Sequence, residues 1–139
     1  MNENCLFCKL ISGKLPIAAK IYEDADTLAF LDISPINVGH TLVVPKVHYH
    51  NIHDTPASIF ESVMKTVHKL SPSIMSAVHA GGINIGINNE SVAGQVVPHL
   101  HVHIIPRFPD DGLSAWSNKP YVDDEISKVA SAILDVLNQ

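Results

Sequence analysis

Positive charge is scarce in this sequence. Nine lysines and arginines stand against fourteen aspartates and glutamates, leaving a formal net charge of -5 with the histidines neutral. The basic residues never form a block, and a nucleic-acid groove needs a basic footprint, so no nucleic acid is expected as a partner. Long apolar runs are missing too. No stretch reaches the roughly eighteen consecutive apolar residues of a membrane span, so no membrane partner is expected. Cysteine is limited to Cys5 and Cys8. Met1-Asn2-Glu3-Asn4 lacks the positive region of a secretory leader, so both thiols are expected in a reducing, cytoplasmic setting. Repeats, low-complexity tracts and linkers are absent, and residues 1–139 are expected to form one domain. With 46% hydrophobic and 17% charged residues, the chain is globular and not disordered.

Histidine is plentiful, with nine copies. Three of them alternate with aliphatic residues in Pro98-His99-Leu100-His101-Val102-His103-Ile104-Ile105-Pro106-Arg107. Side chains alternate between faces along a strand, so one face would carry imidazoles and the other would close a core. Period-2 alternation with β-branched residues predicts a strand from Val96 to Ile105. Imidazole serves as nucleophile, proton carrier or metal ligand near neutral pH. Neighbours roughly 6–7 Å apart along a strand suit a grip on one phosphate or one metal. A three-histidine metal site with an open position is one reading, and exposed edge-strand histidines are another.

The remaining pattern alternates short strands with two helical stripes. Cys5 to Ile11 reads as a short helix stopped by Gly13. Ala18–Glu23, Thr27–Asp32 and His40–Val44 read as strands, with Pro45 as a stop. Pro56 is expected at the first helical position of a helix whose stripe is Ile59, Val63, Val67, Leu70, Ile74 and Val78. Pro72 is expected to kink or break it, and Gly81-Gly82 to end it. Ile83–Asn88 reads as a strand and Asn89–Gln95 as a loop. After a loop from Phe108 to Pro120, Asp123-Asp124-Glu125 opens a last helix with acidic residues at its positive end. Its stripe is Ile126, Val129, Ala130, Ile133, Leu134 and Leu137. Strands interrupted by one long helix predict an α+β fold with an antiparallel sheet. Cys5-x-x-Cys8 has metal-ligand spacing but supplies only half a site, and a redox pair is the rival reading, without a βαβ context to support it.

His99-Leu100-His101-Val102-His103-Ile104-Ile105 resembles the histidine-triad (HIT) motif. With Asn88-Asn89, Ala93-Gly94-Gln95 and Pro106-Arg107, the chain resembles the Hint branch in its bacterial-type form, from about Cys5 to Arg107. The C-terminal loop and helix, residues 108–139, lie beyond the resemblance. The resemblance implies a five-stranded antiparallel sheet continued across a homodimer. It implies a nucleotide-binding hydrolase acting on purine nucleoside 5′-monophosphates, such as a phosphoramidate or an acyl-nucleotide, through a covalent nucleotidyl-histidine. His101 would be the nucleophile, His103 would hold a phosphate oxygen or pass a proton, His40 would support the triad, and His99 would count with them in the catalytic group. Asp32 would accept the ribose hydroxyls, and Leu6, Phe7, Leu10, Phe30 and Ile33 would form a purine slot. Asn88, Gly94, Gln95, Val96 and Val97 would wrap the phosphate, although Val96 replaces a serine common in Hint proteins. Cys5, Cys8, His48 and His99 would hold a structural zinc, and the chemistry itself would need no cofactor. Two alternatives stay open: a noncatalytic nucleotide-binding or scaffold protein of the same fold, and a three-histidine metallohydrolase.

Overall fold

Thr27–Leu31 and Thr41–Pro45 are apolar on alternate and intervening positions alike, so these strands have two faces to bury. The structure, a computed structural model describing residues 1–139, places them at the centre of a five-stranded antiparallel sheet. In chain order the elements are α1 (Leu6–Ile11), β1 (Lys20–Glu23), β2 (Thr27–Leu31), β3 (Thr41–Pro45), α2 (Ala57–Ala77), β4 (Gly82–Gly86), β5 (Val102–Arg107) and α3 (Glu125–Leu137). A 3-10 turn at Ser91–Ala93 interrupts the loop between β4 and β5. The sheet order is β1-β2-β3-β5-β4. The α+β class, the long helix and the C-terminal helix are as expected from sequence.

One face of the sheet packs against α2. Val63, Val67, Leu70 and Ile74 from the helix meet Ala29, Val43, Val102 and Ile104 from the strands. The other face carries Leu28, Phe30, Leu42 and Val44, covered by Cys5, Phe7 and Cys8 of the N-terminal segment. The partition follows strand parity, because neighbouring residues of β2 and β3 point to opposite layers.

The triad strand differs from expectation. Pairing begins only at Val102, so His99 and His101 precede β5 rather than lying within it. The register of β3 with β5 would next place Val44 opposite His101 and Pro45 opposite Leu100. Pro45 has no amide hydrogen to continue the ladder. The Leu100 amide instead donates to the Tyr49 carbonyl at 2.7 Å, and the Pro45 carbonyl meets the His99 ring at 2.8 Å.

Three helix-end expectations are also corrected. Pro56 is the N-cap of α2, one residue before the helix proper. Pro72 does not break α2, which is continuous from Ala57 to Ala77. Pro72 leaves the His68 carbonyl without an amide partner, but both residues lie on the exposed face, where water can supply the bond. Buried Leu70 and Ile74 hold the opposite face on the sheet. The helix ends at Val78 and the left-handed turn is made by His79 (φ 57°), not by Gly81-Gly82, and Gly82 already belongs to β4. No helix is long and apolar enough to cross a membrane.

Candidate active site and metal centre

Beside α1, where Phe7 and Phe30 meet edge to face at 5.6 Å, the sheet leaves a cavity of about 630 Å³. Its apolar wall contains Leu6, Phe7, Leu10, Phe30 and Ile33, all singled out as a slot from sequence. Asp32, Gly94, Val96 and Val97 line it too, together with His101 and His103. No lysine or arginine lines it, and Asp32 is its one carboxylate. Pro16, Ile17, Ala18, Leu31, Ser34 and Leu42 complete the lining and were not anticipated. Leu42 had a readable signal, because strand parity puts it on the face of Phe30. The Pro16–Ala18 segment had none, since its placement depends on how the chain returns from α1.

Asn88 and Gln95 are not in the wall. The Gln95 amide accepts from the Glu90 N–H at 2.8 Å and donates to the carbonyls of His50 (2.6 Å) and Val97 (3.2 Å). Asn88 Nδ2 donates to the Gly94 carbonyl at 3.4 Å. The Asp32 carboxylate accepts from the Ser34 amide at 2.8 Å with Oδ1, while Oδ2 lies 3.9 Å from His40 Nε2.

Hydrogen-bond partners fix the tautomer of each imidazole. His101 Nδ1 lies 2.7 Å from the His99 carbonyl, which only accepts, so Nδ1 carries the proton and Nε2 keeps its lone pair. The Ile36 amide donates to His40 Nδ1 at 3.0 Å, so His40 is protonated on Nε2. That nitrogen donates to His103 Nδ1 at 2.9 Å. The proton of a neutral His103 then sits on Nε2, the one buried side-chain nitrogen or oxygen in the chain with no partner. His101 and His103 stand 4.8 Å apart between ring centroids. Burial lowers the affinity of His101 for a second proton, against the opposing pull of the His99 carbonyl and Asp32. His103 is pushed down to about 4, by burial first and then by His101 and His40. The arrangement therefore offers a neutral nucleophilic nitrogen beside an unpaired N–H donor in an apolar cavity.

His99 serves a different centre. Its Nε2 lies 2.8 Å from the Pro45 carbonyl, so Nε2 holds the proton and Nδ1 carries the lone pair. Nδ1 lies 3.5 Å from Cys5 Sγ, 3.6 Å from Cys8 Sγ and 3.2 Å from His48 Nδ1. Cys8 Sγ lies 3.4 Å from His48 Nδ1. These four residues form a group that could hold a metal ion, and neither His101 nor His103 belongs to it. Tetrahedral zinc with ordinary bond lengths would place sulfur and nitrogen about 3.6 Å apart, and two nitrogens about 3.3 Å apart. The donor set fits that geometry, and the Nε2–H to carbonyl bond is the usual outer support of a ligating histidine. Burial pushes the Cys5 thiol up in the absence of a cation.

Comparison with known proteins gives a consistent result. The HIT domain profile matches residues 17–110. The protein called hit from Bacillus subtilis is 41% identical over 94% of this chain and 92% of its own length. An adenosine 5′-monophosphoramidase from Candida albicans is 37% identical over 98% of this chain and 93% of its own. A crystal structure from Streptococcus mutans superposes with a TM-score of 0.92 at 38% identity, covering 99% of this chain and 87% of that one. A zinc-bound histidine triad family protein from Mycobacterium smegmatis superposes with a TM-score of 0.75 at 37% identity, covering 96% and 97% of the two chains.

Proposed function

The chain belongs to the HIT-domain family, and from that premise we propose that it hydrolyses purine nucleoside 5′-monophosphate derivatives through a nucleotidyl-His101 intermediate. The observation that carries this reading is the pairing of a free His101 Nε2 lone pair with the partnerless His103 Nε2–H. His101 Nε2 attacks the α-phosphorus, a P–N bond forms to the ring, and the bond to the leaving group breaks. The leaving group takes up a proton from solvent, and the water of the second step returns one. Water then attacks the same phosphorus, the His101 bond breaks, and the nucleoside monophosphate departs. Splitting one displacement into two is the benefit of covalent catalysis. His103 Nε2–H holds a nonbridging oxygen, and His40 fixes that donor by occupying Nδ1.

The apolar wall takes the purine ring, and Asp32 accepts from the ribose hydroxyls. A cavity of about 630 Å³ falls within the ordinary range for a small-ligand site. Because no lysine or arginine lines it, a substrate with one phosphate and a leaving group linked through N, O or S is favoured over a polyphosphate. The name of the Candida relative, a monophosphoramidase, agrees with that class. Cys5, Cys8, His48 and His99 would hold a structural zinc, which would supply a cross-link between the N-terminal segment and the triad segment. His101 and His103 lie outside that group, which weighs against a three-histidine metallohydrolase. We place the chain in the Hint branch in its bacterial-type form, as a cytoplasmic homodimer whose sheets join.

The test is incubation with adenosine 5′-phosphoramidate, with and without a chelator. Chelator-insensitive release of AMP, abolished in His101→Ala, is the expected result. AMP binding without turnover would instead make the chain a noncatalytic nucleotide-binding protein.

A further inference from the structure

Glu90 occupies a backbone conformation that a side chain makes costly. Its φ of 74° and ψ of 156° fall in a region entered freely only by glycine. Glycine at this position would remove the strain, and the side chain that stands there instead makes specific contacts. Its Oε1 accepts from Nδ2 of Asn51, a residue only 6% exposed. His50 Nε2 lies 3.5 Å from the same oxygen. The Glu90 carbonyl accepts from the amides of Ala93 and Gln95, each at 3.1 Å, and its N–H donates to the Gln95 side chain. Asn89 Oδ1 accepts from the Ile52 amide at 2.9 Å. The loop between β4 and β5 is therefore stapled to residues 50–52 through Asn89, Glu90 and Gln95.

The far side of that loop forms part of the cavity wall beside His101, through Gly94, Val96 and Val97. The amides of Val96 and Val97 donate to no group of the chain, and Val96 is 88% exposed. A flexible loop would scatter these donors, whereas a fixed one would meet a phosphate without reorganising. We propose that Glu90 is a positioning residue: bonded to the buried Asn51, its carboxylate holds the 88–97 loop so that the Val96 and Val97 amides face the phosphate carried by His101. The inference rests on the nucleotidyl-transfer reading given above.

Two variants separate positioning from simple structural support. Glu90→Gly removes both the carboxylate and the backbone strain, two opposing effects on stability, so its melting temperature should stay close to the wild-type value. Its kcat on adenosine 5′-phosphoramidate should nevertheless fall by ~10- to 100-fold, with a smaller change in KM. Glu90→Gln keeps an acceptor for Asn51 and should retain most of the turnover. Hydrogen exchange of the Ala93, Gly94 and Gln95 amides supplies a readout that needs no substrate. It should accelerate by roughly 10-fold or more in Glu90→Gly and hardly change in Glu90→Gln. Wild-type turnover in Glu90→Gly, or unchanged exchange there, would overturn the proposal, as would a Gln variant as impaired as the Gly one. If the wild-type chain itself released no AMP, the functional reading would fail, and the exchange result alone would decide the role of Glu90.

Discussion

At the scale of the residue, the account depends on where single protons sit. Three histidines at alternate positions are chemically identical until their partners differ. A carbonyl partner leaves His101 with a free Nε2, an imidazole partner leaves His103 with a free N–H, and His99 turns its lone pair to two thiols. The alternation was legible in the sequence, whereas the division of His99 from His101 and His103 came only with the family resemblance, because Cys5-x-x-Cys8 by itself supplies half a site. The tautomers were not legible, because they depend on the Ile36 amide and on carbonyls that only the fold brings near. A pH dependence follows. The His103 pKa is held down to about 4 by burial, against about 6.5 in an unfolded chain. A histidine whose pKa is lower when folded contributes stability in its neutral form, complete above about pH 6.5 and lost as pH falls towards 4. Burial lowers His40 as well, so it acts in the same direction. Urea unfolding should therefore give a smaller free energy at pH 5 than at pH 7, with a shallower dependence in His103→Asn. A pH-independent unfolding energy over that interval would contradict the burial of these rings as neutral groups.

At the scale of the element, prolines decided what pattern reading missed. Hydrophobic alternation across residues 96–105 is a correct statement about side-chain facing and an incorrect one about pairing. Leu100, Val102 and Ile104 are all buried, as alternation requires. The ladder nevertheless stops where Pro45 on the neighbouring strand has no hydrogen to give. Pro72 misled in the opposite direction, since tertiary packing of Val67, Leu70 and Ile74 outweighs a local breaker on an exposed face. The shortest helix shows what a metal would add. α1 has six residues, fewer than an isolated helix needs, and its N-cap is Cys5 itself, whose sulfur accepts from the Cys8 amide. A metal held by Cys5 and Cys8 would anchor the helix that supplies Leu6, Phe7 and Leu10 to the cavity wall. Metal content near one zinc per chain is expected. Cys8→Ser should lose that zinc and lower the melting temperature, measured by elemental analysis and thermal unfolding. A wild-type chain equally stable and folded without bound metal would contradict the zinc proposal.

At the scale of the whole molecule, two surfaces are unfinished. β4 lies at one end of the sheet, with Asn84, Ile85 and Gly86 exposed. α3 has no buried residue, although Ile126, Val129, Ile133, Leu134 and Leu137 form the stripe read from sequence. A 13-residue helix is marginal in water without packing, so its apolar stripe is the part of the sequence pattern a single chain leaves unused. The homodimer proposal supplies an occupant for it. Sedimentation should give a dimer for the full chain and a shift towards monomer for a chain ending at Val122. A full-length chain that sediments as a monomer at micromolar concentration would remove the dimer from the account. The fold itself was readable because strand alternation and the α2 stripe agree with one packing solution. The role of the α3 stripe was not, because no element of the chain packs against it.

The central claim is that His101 becomes covalently nucleotidylated. The direct measurement is the mass of the protein quenched in mid-turnover with adenosine 5′-phosphoramidate, followed by peptide mapping of the added group. The account predicts one adenylyl group on the peptide containing His101, absent from His101→Ala. Rapid release of AMP with no adduct on that peptide, or an adduct and full turnover retained in His101→Ala, would contradict it.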